Sequence, residues 1–402
     1  MPPILSRRRR KRLLWALGVC ALVAPIGLWI LVHRVSWAGP LVANTLRALI
    51  GTDNVTRLEE LAYAIEDRIN RSMRSGEKPR AYWQVPSGKP AAGPQPSAAP
   101  ARPELAPFVP AVVGPVHESW SAPGDGEWIP ISDPLKPERS AALYKTLLHP
   151  DRNRSWAEVF VVALDLRQLS IVPVPGTREP SPTEPVPEDY PRPGVIPEKH
   201  RDQVIAAFNG GFMTEHGQYG MKLGDVLLVK PRDQACTLAM FENQSLEIAT
   251  FSSIKEREGK MAWYRQAPNC MVEDGKLHTL LDLENVRKWG ATLDGNTVIR
   301  RSAVGLNARG DVLFVGISNH TTAQVMALGM RHAGASDVAQ LDVNWSYPKF
   351  VTFERSDAGP ERVAVALAEG FEFSPDEYIR KRSLRDFFYI LWRAEPLELS
   401  VR

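Results

Sequence analysis

The sequence predicts an α+β protein with a mainly β-sheet core and a few packed helices, preceded by one N-terminal transmembrane helix. After residue 116, short apolar segments alternate with turn sequences such as EDGK and NARGD, which is typical of β-strands. One clear helical pattern, Thr321–Gly334, interrupts this part of the chain. Near the start, the uncharged run Leu13–Val32 is long enough to cross a bilayer.

The N-terminal residues predict a single-pass membrane anchor. Residues 1–12 contain the basic sequence RRRRKR and no acid, so we expect them to stay in the cytoplasm ahead of the anchor, residues 13–32. A signal peptide cleaved after the small-residue site Ser36–Ala38 is the alternative, but its apolar region is usually only about 7–15 residues long. An uncleaved anchor places the rest of the chain outside the cytoplasm, in the periplasm if the protein is bacterial.

Three further segments follow the predicted anchor. Residues 33–76 form a juxtamembrane segment in which residues 54–73 have the spacing of an amphipathic helix, which could pack on the folded domain or on a second copy. Residues 77–115 are rich in proline and alanine and predict an extended linker. Residues 116–402 contain the predicted strands and form the folded domain.

Charge and cysteine content limit the possible functions. Of the 49 Lys and Arg residues, seven lie in residues 1–34, which leaves 42 basic and 46 acidic residues in the rest. A slightly acidic body does not suit nucleic acid, so we expect no such partner. No cofactor motif is present and the histidines lack metal-ligand spacing, so we assign no cofactor and no metal. Cys236 and Cys270 could form one disulfide or remain two buried thiols.

Two local patterns predict hairpins. In WAEVFVVALDLRQLSIVPV, an alternating apolar run breaks at Asp165–Gln168 and then resumes. In VIRRSAVGLNARGDVLFVGIS, the turn is Asn307–Gly310, and Arg300 and Arg301 stand at the hairpin's entry. Because successive strand residues face opposite sides, only one of these arginines could face a site.

Two polar breaks at the ends of apolar runs are the candidate functional sequences. FNGGF contains Asn209, Gly210 and Gly211, which either make a hairpin turn or let a ligand approach the backbone. LDVNWS contains Asp342, which follows a buried strand. A buried acid is costly unless it is paired or functional, although it could also cap the next turn.

The order of these pieces resembles the phosphodiester glycosidase family, of the N-acetylglucosamine-1-phosphodiester α-N-acetylglucosaminidase type, over about residues 155–390. The family sequence Asn-Gly-Gly-Phe-Phe falls on Asn209–Met213, and Arg-Thr-Ala-Val-Gly falls on Arg301–Gly305 with Ser302 replacing threonine. Leu-Asp-Gly-Gly-Gly-Ser falls on Leu341–Ser346, where Val343, Asn344 and Trp345 replace the glycines. Bacterial relatives are described as exopolysaccharide-biosynthesis proteins.

The resemblance implies a membrane-anchored hydrolase that acts on a sugar-1-phosphate diester in envelope or exopolysaccharide metabolism. It assigns catalysis to Asp342, with Arg301 and Asn209 holding the phosphate. The residues left to bind a sugar-phosphate or glycan substrate are Gly210, Gly211, Ser302, Asn344, Trp345 and Ser346. A second acid could be Glu215, Asp225 or Glu273. The alternative is a catalytically degenerate protein of the same fold that binds glycans, with Trp345 and Tyr347 stacking on the sugar, or that serves envelope assembly.

Overall fold

The computed structural model describes residues 49–84, 108–134, 136–282, 298–344, 346–356 and 362–393, together with residues 27, 45 and 289. The chain divides into two compact units, Met1–Ala62 and Tyr63–Arg402. Apart from Gly27, the predicted anchor, residues 13–32, lies outside the described residues, and so does the middle of the predicted linker. Within the described part of the chain, no helix is long and apolar enough to span a membrane.

Strands dominate the described residues, as the sequence predicts, and only a few helices accompany them. The α-helices are α1 (Thr52–Met73), α2 (Phe251–Ile254) and α3 (Ala323–His332). Short 3-10 helices cover Glu198–His200, Thr214–His216, Lys255–Lys260 and Thr279–Asp282. The strands are β1 (Ile129–Ile131), β2 (Leu143–Leu148), β3 (Val159–Asp165), β4 (Leu169–Val174), β5 (Val204–Asn209), β6 (Met221–Leu223), β7 (Val226–Val229), β8 (Cys236–Phe241), β9 (Leu246–Thr250), β10 (Met261–Ala267), β11 (Val272–Glu273), β12 (Lys276–Leu277), β13 (Ile299–Leu306), β14 (Val312–Thr321), β15 (Asp337–Val343), β16 (Phe350–Arg355), β17 (Arg362–Ala366) and β18 (Phe387–Trp392).

These strands form three sheets in the second unit. The largest has the order β1-β2-β3-β14-β13-β15-β11-β12, and the two others have the orders β7-β6-β10-β8-β9 and β17-β16-β5-β18-β4. Neighbouring strands within the sheets run antiparallel. The α+β class with a mainly β core is therefore confirmed.

Both faces of the eight-stranded sheet are buried, which explains why its central strands are almost continuously apolar. In β3, Phe160, Val162 and Leu164 contribute to the largest hydrophobic core, which also includes residues of the two smaller sheets. Val159 and Val161, on the opposite face of the strand, contribute to a second core with residues of α3. Burial of alternate side chains in two cores follows from the period of two in a strand.

The hairpin predicted at Asp165–Gln168 is wrong. Strand β3 pairs with β2 and β14, whereas β4 pairs with β18 in a different sheet. The Asp165 carboxylate holds the turn locally by accepting from the backbone N–H of Arg167 at 3.0 Å and from Nε2 of Gln168 at 2.8 Å. Because both edges of β3 are already paired, the chain must leave the sheet after this turn.

The hairpin with its turn at Asn307–Gly310 is confirmed, because β13 pairs with β14 and Gly310 N–H donates to the Asn307 carbonyl. Helix α3 follows directly. Its first turn is capped by Thr322, whose Oγ1 accepts from the Val325 N–H at 3.2 Å. It ends before Gly334, which has the left-handed φ of 114° that glycine tolerates.

A disulfide joins Cys236, at the start of β8, to Cys270, which precedes β11. It therefore links a five-stranded sheet to the segment that enters the eight-stranded sheet. Of the two alternatives that the sequence leaves open, the structure shows the bridged pair.

Candidate functional site

The two polar breaks of the sequence meet where β5 and β15 end. Strand β5 ends at Asn209 and pairs with β16 and β18, so Asn209 and Gly210 do not form a hairpin turn. Strand β15 belongs to the eight-stranded sheet, and its Asp342 N–H donates to the Gly210 carbonyl at 3.1 Å. This hydrogen bond joins the ends of strands from two sheets.

Asn209 and Ser302 fix this junction from within. Asn209 is fully buried, and its Nδ2 donates to Oγ of Ser302 at 2.8 Å while its Oδ1 accepts from the Lys349 N–H at 3.1 Å. Ser302 Oγ in turn donates to the Asp342 carbonyl at 3.1 Å. Both side chains therefore tie β5, β13 and β15 together.

Gly210 and Gly211 allow the chain to lie directly against Asp386. The Gly210 N–H donates to the Asp386 carbonyl at 2.9 Å, and the Gly211 N–H donates to Oδ2 of Asp386 at 3.1 Å. A Cβ on Gly210 would lie 2.2 Å from Oδ2 of Asp386, and one on Gly211 would lie 2.7 Å from Cζ of Arg265. Only glycine fits at these two positions without movement of their neighbours.

A buried ion pair supports the glycines. Arg265 donates through Nε to Oδ2 of Asp386 at 2.9 Å and through Nη2 to Oδ1 at 3.2 Å. The same guanidinium donates to the carbonyls of Phe212 at 2.6 Å and Tyr219 at 3.0 Å. No local sequence pattern indicates this pair, because its two residues lie 121 positions apart in the chain.

Asp342 forms an ion pair with Arg385. The Asp342 side chain is 2% exposed, and its carboxylate accepts from Nη1 of Arg385 and from the Val343 N–H at 2.9 Å. Arg385 lies over the ring of Tyr347, with 4.8 Å between its Cζ and the ring centroid, and its side chain is 25% exposed. The Tyr347 hydroxyl donates to the Asp386 carbonyl.

The environment changes the proton affinity of three groups here. Burial raises the pKa of Asp342, and the positive charges of Arg385 and His216 oppose this. Burial lowers the pKa of Arg385, but the charge of Asp342 outweighs it and the pKa is raised overall. Glu179 has a lowered pKa because hydrogen bonds from Thr214 and Ser181 outweigh its burial. The site therefore contains a carboxyl whose protonated form is favoured by burial, Asp342, and a carboxylate whose ionised form is favoured by hydrogen bonds, Glu179.

The sequence that replaces the family glycines is held by Asn344. Its Oδ1 accepts from the N–H groups of Ser346 at 2.9 Å and Tyr347 at 2.6 Å, which is a side-chain-capped turn. Its Nδ2 points to Oδ2 of Asp342 at 3.4 Å. Asn344 and Ser346 therefore lie at the site, and Trp345 is outside the described residues.

The side chain of Arg301 binds carbonyls outside the Asp342 junction, although Arg301 pairs with Val343 in the sheet. It is fully buried and donates to the carbonyls of Thr321 at 3.0 Å and Trp289 at 2.5 Å and to Oε1 of Gln340 at 3.2 Å. Burial lowers the pKa of Arg301 to about 9. Its neighbour Arg300 donates to Oδ1 of Asn319 at 2.8 Å. Strand alternation correctly separates the two arginines, but both are buried.

The three acids considered as a second carboxylate occupy different places. Glu215 lies 3.4 Å from the ring of His216, Asp225 is exposed in the turn between β6 and β7, and Glu273 accepts from the Thr250 N–H at 2.8 Å. Glu179 was not among them. Its carboxylate accepts from the Thr214 N–H at 3.0 Å, and its charge acts on Arg385.

The chain is similar to a known protein family over part of its length. Residues 202–342 match the sequence profile of the phosphodiester glycosidase family. This segment is similar to that family. It includes Asn209, Ser302 and Asp342, whereas Arg385 lies beyond it. No curated protein sequence matches the chain.

Solved structures also match the chain, with low identity. One is the zebrafish N-acetylglucosamine-1-phosphodiester α-N-acetylglucosaminidase catalytic domain, auto-inhibited by its pro-peptide. It shares 12% identity and a TM-score of 0.39 over 66% of this chain and 88% of that one. A hypothetical protein from Synechocystis shares 10% identity and a TM-score of 0.35 over 62% of each chain.

Proposed function

We propose that this protein hydrolyses a sugar-1-phosphate diester by breaking the bond between the anomeric carbon and the phosphate oxygen. The observation that carries this proposal is Asp342, a buried carboxyl at the junction of two strand ends, within a segment similar to the phosphodiester glycosidase family. An amide, a hydroxyl and two glycines pack around the junction and fix it.

Hydrolysis of a sugar-1-phosphate diester can proceed with one carboxyl group such as that of Asp342. Cleavage at an anomeric carbon passes through an oxocarbenium-like transition state, in which the leaving oxygen gains negative charge. A proton donor stabilises that oxygen, and burial raises the pKa of Asp342, which favours its protonated form relative to an exposed aspartate. The leaving group is a phosphate monoester, which already tolerates negative charge.

The first test is which bond the full-length protein breaks. The substrates are p-nitrophenyl phosphodiesters of α-glucose, α-galactose, α-mannose and α-N-acetylglucosamine, incubated in ¹⁸O-water. We expect free sugar and colourless p-nitrophenyl phosphate that carries no ¹⁸O, because water attacks C1 and not phosphorus. Release of yellow p-nitrophenol, or of p-nitrophenyl phosphate that carries ¹⁸O, would identify a phosphodiesterase and contradict the proposal.

A glycan-binding protein without turnover is the second candidate. The observation that favours it is the replacement of the family's three glycines by Val343, Asn344 and Trp345, since larger side chains reduce the space beside Asp342. The same panel separates the candidates. Saturable binding of the sugar phosphodiesters with no product after prolonged incubation would support this second function and exclude the first.

We also propose that the domain acts outside the cytoplasm, in envelope or exopolysaccharide metabolism, and is held there by residues 13–32. The basic residues before this run and the Cys236–Cys270 disulfide support the proposal, because structural disulfides persist in oxidising compartments. We expect alkaline phosphatase, which needs an oxidising compartment, to be active when fused after Arg402. A fused cytoplasmic reporter such as β-galactosidase should be inactive, and the reverse pattern would exclude this topology.

A further inference from the structure

The arginines around the junction differ in their access to solvent. Arg265 is 1% exposed and binds Asp386. Arg301 is 0% exposed and donates to main-chain carbonyls. The side chain of Arg385 is 25% exposed, so it is the one of these three that a solute can reach directly.

The backbone of Arg385 is fixed from several sides. Its N–H donates to Oγ of Ser383 at 3.3 Å, and that hydroxyl donates to the Arg385 carbonyl at 2.7 Å. The preceding Leu384 carbonyl accepts from the N–H groups of Arg178 at 3.0 Å and Glu179 at 2.8 Å. A guanidinium on a fixed backbone is preorganised for anion binding, since the backbone loses little conformational freedom when the guanidinium binds an anion.

The anion that Arg385 holds in this structure is the carboxylate proposed to act in catalysis. The positive charge of Arg385 favours the anionic form of Asp342 and opposes the effect of burial, and a carboxylate anion cannot donate a proton. The group must therefore lose this partner before it can serve as an acid. A phosphodiester offers the same guanidinium two oxygens in a geometry that a fork of N–H donors matches well.

We propose that Arg385 binds the substrate phosphate, and that the phosphate thereby displaces Asp342 and allows it to become the general acid. This inference rests on the proposed function and extends it to a regulated resting state. It assigns the phosphate to Arg385 instead of Arg301, the residue that the family resemblance selects.

The proton balance of the binding step is explicit. The diester arrives as a monoanion, pairs with the Arg385 cation, and releases the Asp342 carboxylate, which takes one proton from solvent. In the chemical step the C1–O bond breaks, and the Asp342 proton moves to the leaving phosphate oxygen. Water forms the new C1–O bond and loses a proton to solvent, after which Asp342 pairs again with Arg385.

Other charges act on these two groups and must be separated from Asp342 in any pH experiment. Glu179, in the proline-rich loop between β4 and β5, acts on Arg385, and its lowered pKa keeps its charge constant at neutral pH. Tyr347, under Arg385, has a pKa raised well above its ordinary value by burial and stays neutral. His216 acts on Asp342 and is a residue type that can change charge near neutral pH.

Binding of diethyl phosphate to the full-length protein tests the inference without turnover. This probe is a fixed monoanion with no sugar, and ³¹P NMR reports its Kd between pH 5 and 8. Because one proton is taken up on binding, the affinity of the wild type should decrease as the pH rises. Above the pKa that Asp342 has in the unbound protein, we expect this decrease to approach tenfold per pH unit. Asp342→Asn, which has no competing carboxylate, should bind tighter at pH 7 and with no such slope.

Variants of Arg385 complete the experiment. Arg385→Gln should weaken binding at least tenfold, Arg385→Lys should retain part of it, and Arg309→Gln, at a residue whose side chain is 78% exposed, should change nothing. If Arg385→Gln does not fold, the comparison of the wild type with Asp342→Asn still decides. A pH-independent Kd in the wild type, or a slope that persists in Asp342→Asn because of His216, would overturn the inference. Neither result depends on whether the protein proves to be a glycosidase.

Discussion

Replacing Asp342 with asparagine is expected to reduce sugar release by roughly 100- to 10,000-fold in kcat, the range that a general acid contributes. Asparagine keeps the shape of the side chain and can accept from the Val343 N–H, but it cannot give a proton to the leaving phosphate. The measurement is kcat on the best phosphodiester of the panel. Asp225→Asn, in an exposed turn, is the matched control and should keep full activity.

The stability of this variant separates catalysis from folding. Burial raises the pKa of Asp342, so the folded protein holds this proton more tightly than the unfolded chain does. The resulting stabilisation is fully present below the unfolded pKa of about 3.9 and is lost as the pH rises through the folded pKa. Asparagine never ionises and avoids that loss.

We therefore expect the melting temperature of Asp342→Asn to equal or exceed that of the wild type at pH 7. The difference should shrink as the pH falls towards 4, because the wild-type carboxyl is then protonated as well. An inactive variant that also melts much earlier would show that Asp342 is a structural cap. A fully active variant would remove it from the mechanism.

Much of this site could be predicted because its chemistry is local to the strand ends. The cost of burying an acid after an apolar strand selects Asp342, and paired glycines after β5 indicate close backbone contact. The structure gives both observations a cause. Asp342 is paired with Arg385, and Gly210 and Gly211 lie against Asp386.

What could not be predicted depends on contacts between residues far apart in the chain. Nothing local distinguishes Arg385, which precedes the apolar strand β18, from a surface arginine. Its partner Asp342 lies 43 residues away in the chain. Glu179 belongs to a proline-rich loop whose packing against residues 383–384 has no local signal. The prediction of a hairpin after β3 is wrong for the same reason, since β14, about 150 residues further along the chain, pairs with the second edge of β3.

Arg301 illustrates a different limit of sequence reasoning. Alternation correctly places Arg300 and Arg301 on opposite sides of β13. If one side of the strand were open to solvent, the arginine on that side would be exposed and could face a site. Strand β13 lies between β14 and β15, and both of its faces are covered, so both arginines are buried. A pattern of alternation identifies the two faces of a strand but does not tell what covers each one.

Replacing Arg265 with methionine is expected to lower the free energy of unfolding by about 3–5 kcal/mol, because Asp386 would remain as a buried charge without its cation. Lys255→Met is the matched control. Its ion pair with Asp233 is about half exposed on both sides, and removing such a pair costs about 0–1 kcal/mol. Urea denaturation of the two variants measures the difference directly.

The activity of the Arg265 variant should fall as well, even at temperatures where it remains folded. Asp386 accepts from the N–H groups of Gly210 and Gly211 through its carbonyl and its carboxylate, and its carbonyl also accepts from Tyr347, on which Arg385 lies. An Asp386 that moves therefore disturbs both sides of the junction. The double variant Arg265→Met/Asp386→Leu should recover much of the stability, because an apolar pair carries no desolvation cost. It should not recover the activity, because leucine cannot accept from Gly211. Equal losses of stability in Arg265→Met and Lys255→Met would show that the buried pair does not support the site.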